Sequence, residues 1–298
     1  MQPYSRLAAH HAVRALYAEV TLEPKPGLVS LRDNGSHTDM TAATFVRSLF
    51  ALRHYYPAIT QAGLEGAPFS ALQALGRVAE SRMLRATGGI NTHRGAVFAL
   101  GLLCAAAGNL HGKGKTLTPQ RLRESLQARW GEALCAQAAA ALTRAPVSHG
   151  QKAARAYGLR SALDEAADGF PTLFETTLPV LQNALASGIA PRAARVQALF
   201  ATMAVLDDTN VAHRGGSEGL AWLKNQAAVF LQGGGVTQPD WREQARALHR
   251  RCVEMRLSPG GAADVLACAC WVHSMHEAAR FMNAQTLVTG QYSHAETV

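Results

Sequence analysis

Two segments of this 298-residue chain carry residue types for which helices rich in alanine and leucine have no packing use: TGGINTHRG at 87–95 and LDDTNVAHRGG at 206–216. In the first, Gly88 and Gly89 permit close backbone approach, and a helix beginning near Thr92 directs free N–H groups and a positive dipole end outward. Such an end receives an oxyanion well; Arg94 can add bidentate contacts, and His93 can donate a hydrogen bond or carry a proton. The second segment ends an apolar helix, FATMAVL, on adjacent carboxylates, Asp207 and Asp208, where the dipole disfavours negative charge. That placement calls for a compensating cation. Paired carboxylates followed by Thr209 and Asn210 are hard oxygen ligands, suited to Mg²⁺ carrying a polyphosphate rather than to zinc. Arg214, Gly215 and Gly216 then repeat the anion-receptive helix start.

Three further breaks are polar and glycine-bearing. In TLEPKPGLVSLRDNGSHTDM (21–40), two prolines stiffen the backbone around Lys25, which lowers the entropy lost when its ammonium is held on an anion. His37 and Asp39 follow, at the entry to a helix. In LSPGGAADVLA (257–267), Ser258, Pro259, Gly260 and Gly261 open a helix with Asp264 in its first turns. In HGQKAARAYG (149–158), His149, Lys152, Arg155 and Tyr157 read as a solvated basic helix face that could meet a second anion. Each break also has a plain structural account: Asn91 or Thr92 as a helix cap, Asp39 and Asp264 as acids favoured near helix starts. Taken together they describe a site for a nucleotide polyphosphate and do not identify the bond that is broken. Neither G-x-x-x-x-G-K-[ST] nor G-x-G-x-x-G occurs, which excludes P-loop kinases and Rossmann dehydrogenases.

The elements that must position these residues are helices. Apolar residues recur at helical spacing, as in Leu7, Val13, Leu16, Tyr17 and Val20, and strand-like alternation is hard to find. Breaks at 24–27, 63–68, 112–119, 145–150 and 233–239 divide the chain into about ten to twelve helices. Thr118-Pro119 and Ser258-Pro259 are N-cap and first-turn pairs. Short connections imply antiparallel neighbours, so the expectation is an all-α, compact multi-helix bundle in which residues 1–298 form one domain. The echo of NTHRG in NVAHRG is too short to establish a duplication.

Composition narrows the class further. The formal charge is +8, from 29 Lys and Arg against 21 acids, which favours anionic partners. The basic residues are dispersed and aromatics make up only 6%, so no nucleic-acid partner is expected. Five cysteines without a C-x-x-C spacing suggest neither a disulfide framework nor a zinc ribbon. The opening MQPYSRLAAHHAVRALYAEV lacks the apolar centre of a secretory signal, and runs such as AVFALGLLCAAAG stop short of a bilayer span. A cytoplasmic protein with no membrane partner is the expectation.

Four of these stretches, TLEPKPGLVS…NGSHTDM, ATGGINTHRGAVFALGLLCAAAG, LDDTNVAHRGGSEGLAWL and LSPGGAADVLA, resemble in order and separation the triphosphoribosyl-dephospho-CoA synthase family. The resemblance runs over essentially the whole chain. It implies an enzyme that releases adenine from ATP and transfers the triphosphoribosyl unit to the ribose 2′-hydroxyl of 3′-dephospho-CoA. The product goes through a separate transferase onto the acyl carrier subunit of malonate decarboxylase or citrate lyase. NGSHTDMTAATFVRSLFALRHYY looks closer to the malonate decarboxylase branch. A second copy of the chain, as a homodimer, is a further partner to be considered.

Roles follow from side-chain chemistry at the motif positions. Asp207 and Asp208, helped by Asp39 or Asp264, would hold Mg²⁺ on the triphosphate, and Lys25, Arg94 and Arg214 would contact phosphates. Gly88, Gly89, Gly215, Gly216, Ser258, Gly260 and Gly261 would form the nucleotide-binding turns. His37 or Asp39 is the expected base for the 2′-hydroxyl, with His93 the alternative. Two readings in other classes use the same loops: a nucleotide-binding carrier or regulator without turnover, and a hydrolase that cleaves a ribosyl bond with water as acceptor.

Overall fold

The computed structural model describes residues 2–293, with side chains through Met282. Among the described residues every regular element is helical: twelve α-helices of nine residues or more and one of six. They are α1 (Pro3–Val20), α2 (Ala42–Leu52), α3 (Tyr55–Leu64), α4 (Phe69–Ala86), α5 (Arg94–Gly112), α6 (Pro119–Thr143) and α7 (His149–Tyr157), then the short α8 (Ala162–Ala167). A π-helical turn (Thr172–Thr177) leads into α9 (Leu178–Ala186), followed by α10 (Pro191–Val205), α11 (Thr209–Gln232), α12 (Trp241–Glu254) and α13 (Gly260–Ser293). The expected bundle is present.

Local chemistry sets many of the starts. Thr118 caps α6 by accepting from the Arg121 N–H at 3.2 Å, with Pro119 in the first turn. Thr41, Ser148 and Ser161 begin α2, α7 and α8 with reciprocal capping boxes. α5 begins at Arg94, with Asn91 Oδ1 accepting from the Arg94 N–H at 3.2 Å. The segment carrying His37 and Asp39 stays irregular up to Thr41.

α5 and α13 form the centre. Nearly every residue from Ala96 to Leu110 is buried, under α3, α6, α13 and α4. α5 is long and apolar enough to cross a bilayer, with a mean hydropathy of 1.4, but 78% of it is covered by the other helices, as befits a core helix. α13 packs along α1 and α5, and Trp271 on α13 donates its indole N–H to Ala8 O on α1 at 3.0 Å. All five cysteines are free; Cys104, Cys252 and Cys268 are buried.

α3 lies so close to α5 that glycine is required at the crossing. A methyl group on Gly63 would overlap Ala105 O, and one on Gly108 would overlap Thr60 O. Those collisions are with backbone, which cannot yield by a rotamer change. Gly63→Ala and Gly108→Ala are therefore each expected to lower stability by about 1–3 kcal/mol in urea unfolding. Gly76→Ala in α4, whose new methyl meets only Tyr55 Oη at 3.9 Å, is expected to raise it by about 0.5–1 kcal/mol.

Candidate active site

The first described N–H groups of α11 and α13 share one carboxylate. Asp208, buried at the corner between α10 and α11, accepts from the Asn210 N–H at 2.9 Å and the Val211 N–H at 3.4 Å through Oδ1. Its Oδ2 accepts from the Ala262 N–H of α13 at 2.9 Å. Two helix starts thus meet their orphan donors with a side chain from one of them. Gly261 allows the approach, since a methyl there would lie 3.0 Å from Asp208 Oδ2. The compensation that two acids after α10 demanded is therefore partly internal. Asp208 belongs to positive helix ends rather than to the negative end of α10, which stops at Val205.

A third helix start joins through Asp264, whose half-buried carboxyl lies against the first turn of α5. A Cβ on Gly95 would collide with Asp264 Oδ2, so the glycine is fixed by this contact. Burial, with Glu19 and Asp208 nearby, pushes the Asp264 carboxyl well above the usual range, and burial raises Asp208 as well, against the backbone N–H groups that favour its charged form. The cation in this centre is Lys25, whose Nζ reaches Glu19 Oε1 at 2.6 Å and Glu19 O at 2.7 Å with both side chains buried. Lys25 is thus held by Glu19 rather than turned toward an open anion site.

His93 caps the same end of α5. It is 2% exposed, its Nδ1 lies 2.7 Å from Ser48 Oγ on α2, and its Nε2 is enclosed without a hydrogen-bond partner. Burial first, then Lys25, pulls its pKa down to about 3, so the ring is neutral. An enclosed imidazole nitrogen with nothing to bond leaves a polar group unmatched.

His37 stands at the mouth. Its Nε2 lies 2.8 Å from Ser258 Oγ and its Nδ1 3.1 Å from an Arg214 guanidinium nitrogen. A guanidinium only donates, so Nδ1 accepts, and the neutral ring donates from Nε2 to Ser258 Oγ. Burial and Arg214 lower the His37 pKa; exposed Asp39, 3.6 Å away, opposes them. Ser258, expected to cap α13, is engaged by His37 instead, and Asp208 supplies the cap. Arg214 also donates to Ser36 O and Arg256 O, which ties the 21–40 loop to the α12–α13 turn.

The remaining expected residues lie around this centre or away from it. Arg94, on the first turn of α5, pairs with Glu80 of α4 at 3.3 Å. Gly88 and Gly89 form the turn after α4 at φ 69° and 89°, with open space beside them. Gly215 packs against Leu257, whereas Gly216, at φ 67° and ψ −168°, breaks α11 and starts a second helical run. Gly260 faces the Asn210 side chain. Asp207 turns to another face: its Oδ1 is 2.6 Å from Lys224 Nζ, its Oδ2 accepts from the Arg160 N–H, and it lines a cleft with Arg123, Arg160, Glu165 and Asp168. The basic face of α7 packs on α11, with the His149 and His213 rings 4.2 Å apart.

Of the acids that could hold Mg²⁺, buried Asp208 and half-buried Asp264 are the two without a cationic partner, and a triphosphate would supply the other oxygens that the ion takes. Asp207 already has Lys224, and Asp39 lies exposed beside His37. Sequence reasoning passed over Glu19, Ser48 and Gly95. Glu19 falls on the apolar face of α1 with Ala12, Ala15 and Leu16, and Ser48 follows Thr44 by one turn on the buried face of α2. A polar residue on an apolar helical stripe was the available signal.

The model of a family described as ATP:dephospho-CoA triphosphoribosyl transferase matches residues 5–281. A probable 2-(5''-triphosphoribosyl)-3'-dephosphocoenzyme-A synthase of Citrobacter koseri is 37% identical over 261 residues, covering 86% of each chain. No solved structure matches.

Because the Asp264 carboxyl is raised, the folded protein binds its proton at pH values where the unfolded chain has released it. Stability from this group is present at low pH and is lost as pH rises through that window. Asp264→Asn keeps the side chain's size and an acceptor oxygen without the charge. It is expected to melt a few degrees above the parent at neutral pH in EDTA, with the gap closing as pH falls into the carboxylate range. Equal melting at neutral pH would show that the carboxyl carries no such cost.

Proposed function

We propose, from the premise that this chain belongs to the ATP:dephospho-CoA triphosphoribosyl transferase family, that the acidic centre is where the ribosyl bond of ATP is exchanged. The observation that carries this reading is the unpartnered Nε2 of neutral, enclosed His93 at the head of α5, whose first turn meets Asp264 where three helix starts converge. In the reaction the C1′–N9 bond of ATP breaks with its electron pair leaving on adenine. The 2′-oxygen of 3′-dephospho-CoA bonds to C1′, and adenine finally carries the proton that the hydroxyl loses. The transition state is oxocarbenium-like, so the enzyme must orient an alcohol on one face, assist the departing base on the other and hold a triphosphate that never reacts.

Residues of this centre meet the first and the last of these requirements. With Nδ1–H donating to Ser48 Oγ, His93 offers the Nε2 lone pair to the 2′-hydroxyl. The low pKa keeps that lone pair free at any physiological pH, and the approach of a polyanion raises its basicity. Asp208 and Asp264 would hold Mg²⁺, which when bound offsets the triphosphate charge and fixes its tail. Arg94 and Arg214, within the first two turns of α5 and α11, would contact phosphate oxygens on exchanging their present partners, Glu80 for the one and the 21–40 loop for the other. His37 and Ser258 hold the 21–40 loop against α13, a positioning role in which Arg214 occupies the Nδ1 that a base would need. Lys25, paired with Glu19, lies close enough to help keep the His93 ring neutral.

We read the whole chain, 1–298, as one cytoplasmic catalytic domain. Its product passes to a separate transferase that loads the acyl carrier subunit of malonate decarboxylase, the branch supported by the NGSHTDMTAATFVRSLFALRHYY stretch. Disrupting the gene is expected to stop growth on malonate and leave citrate fermentation intact; the reverse would assign the citrate lyase branch.

With ATP, Mg²⁺ and dephospho-CoA, adenine release is expected to require the acceptor, and mass spectrometry is expected to find dephospho-CoA enlarged by one triphosphoribosyl unit. Acceptor-independent adenine would make the protein a hydrolase, and ATP binding without adenine would make it a carrier. His93→Asn is expected to lower kcat by about 10²–10⁴-fold with the KM for ATP little changed. In the parent, kcat should show no histidine ionisation between pH 6 and 8 attributable to this ring, given a pKa near 3.

A further inference from the structure

A groove of about 670 Å³ opens between α1, α2, α10 and α13, away from the motif residues. Its volume is that of a small-molecule site. The walls are largely apolar, from Val13, Ala15, Val46, Leu49 and Cys270, and two aromatic side chains stand unusually open on it: Tyr17 is 52% and Phe50 64% exposed. Arg14, Arg53 and Arg195 also line it, and no acid does. Among the described residues none of these arginines has a carboxylate within ion-pair distance.

We propose that this groove binds the acceptor, 3′-dephospho-CoA, with its diphosphate on the three arginines and its pantetheine arm along the apolar wall. The assignment rests on the transferase reading and names the place of its second substrate. Three observations separate the acceptor from ATP, which shares the adenosine and phosphate chemistry. The groove has no carboxylate to share a metal, so it suits a diphosphate diester better than a terminal triphosphate, which travels with Mg²⁺. Its apolar length and exposed aromatics match an extended arm that ATP lacks. Finally, the groove and the acidic centre share a wall. Leu49 lines the groove while its neighbour Ser48 holds His93, and Thr21 lines it two residues after Glu19, which holds Lys25. An acceptor lying here has its ribose end next to the residues that must receive the hydroxyl.

The test is the full-length Arg14→Glu/Arg53→Glu variant. Both side chains are exposed, so folding should be unaffected, and matching melting curves will check this. Loss of charge-assisted phosphate contacts is expected to raise the KM for dephospho-CoA about tenfold or more, with the KM for ATP unchanged. Calorimetric binding of dephospho-CoA without ATP should weaken in parallel. A rise in the KM for ATP instead would make the groove a donor site, and no change in either constant would remove it from the cycle; each result overturns the proposal. If the parent releases no adenine yet binds dephospho-CoA in a way the variant loses, the groove stands and the transferase reading falls. If adenine release by the variant matches the parent at all acceptor concentrations, the transferase stands and the groove falls.

Discussion

One carboxylate holds the site together. Asp208 satisfies donors at the starts of both α11 and α13, so neither helix can shift without stranding N–H groups in a water-poor interior. That interaction fixes the depth to which α13 enters, and hence the place of Asp264, of Gly95 beneath it and of His93 at the head of α5. The same contact brings two acids close together out of water, which opposes their ionisation. The protein moderates this with the backbone N–H groups of the converging helix starts. A centre in this electrostatic state gains more from a cation and its polyanion than one already neutral.

The outer charge has a complementary layout. Arg94 and Arg214 sit within the first two turns of their helices, and Lys152, His149 and His213 gather where α7 meets α11. Burial, then His149, Arg214 and Lys152, depress the His213 pKa, which records how positive that face already is. With a formal charge of +8 the protein attracts anions broadly, and some of the acidic residues that could repel them are held in pairs such as Asp207–Lys224 and Arg160–Asp168.

Much of this was legible in the residues. Helical periodicity and the glycine and proline breaks gave the all-α bundle, because those signals are local. Convergence of the 21–40, 87–95, 206–216 and 257–267 segments had a different signal, the polar, glycine-bearing character that these four turns share among apolar helices. Side-chain direction was not legible. Asp207 and Asp208 are adjacent, yet a single turn of backbone between α10 and α11 sends one to Lys224 and the other beneath α13. Lys25 looked free because its partner Glu19 lies in the preceding helix, and Ser258 looked like a cap because its bond to His37 spans 221 positions. At Gly216 one helical run ends and a second begins, with backbone angles that glycine alone adopts readily.

The bonds that close this site join remote parts of the polypeptide: His37 to Ser258, Ser36 to Leu257, Ala8 to Trp271. During synthesis the N-terminal helices therefore leave the ribosome long before the segment that completes them. A nascent chain halted before residue 257 lacks both the serine for His37 and the helix start for Asp208, so this cluster of contacts closes only when the last helix has been made.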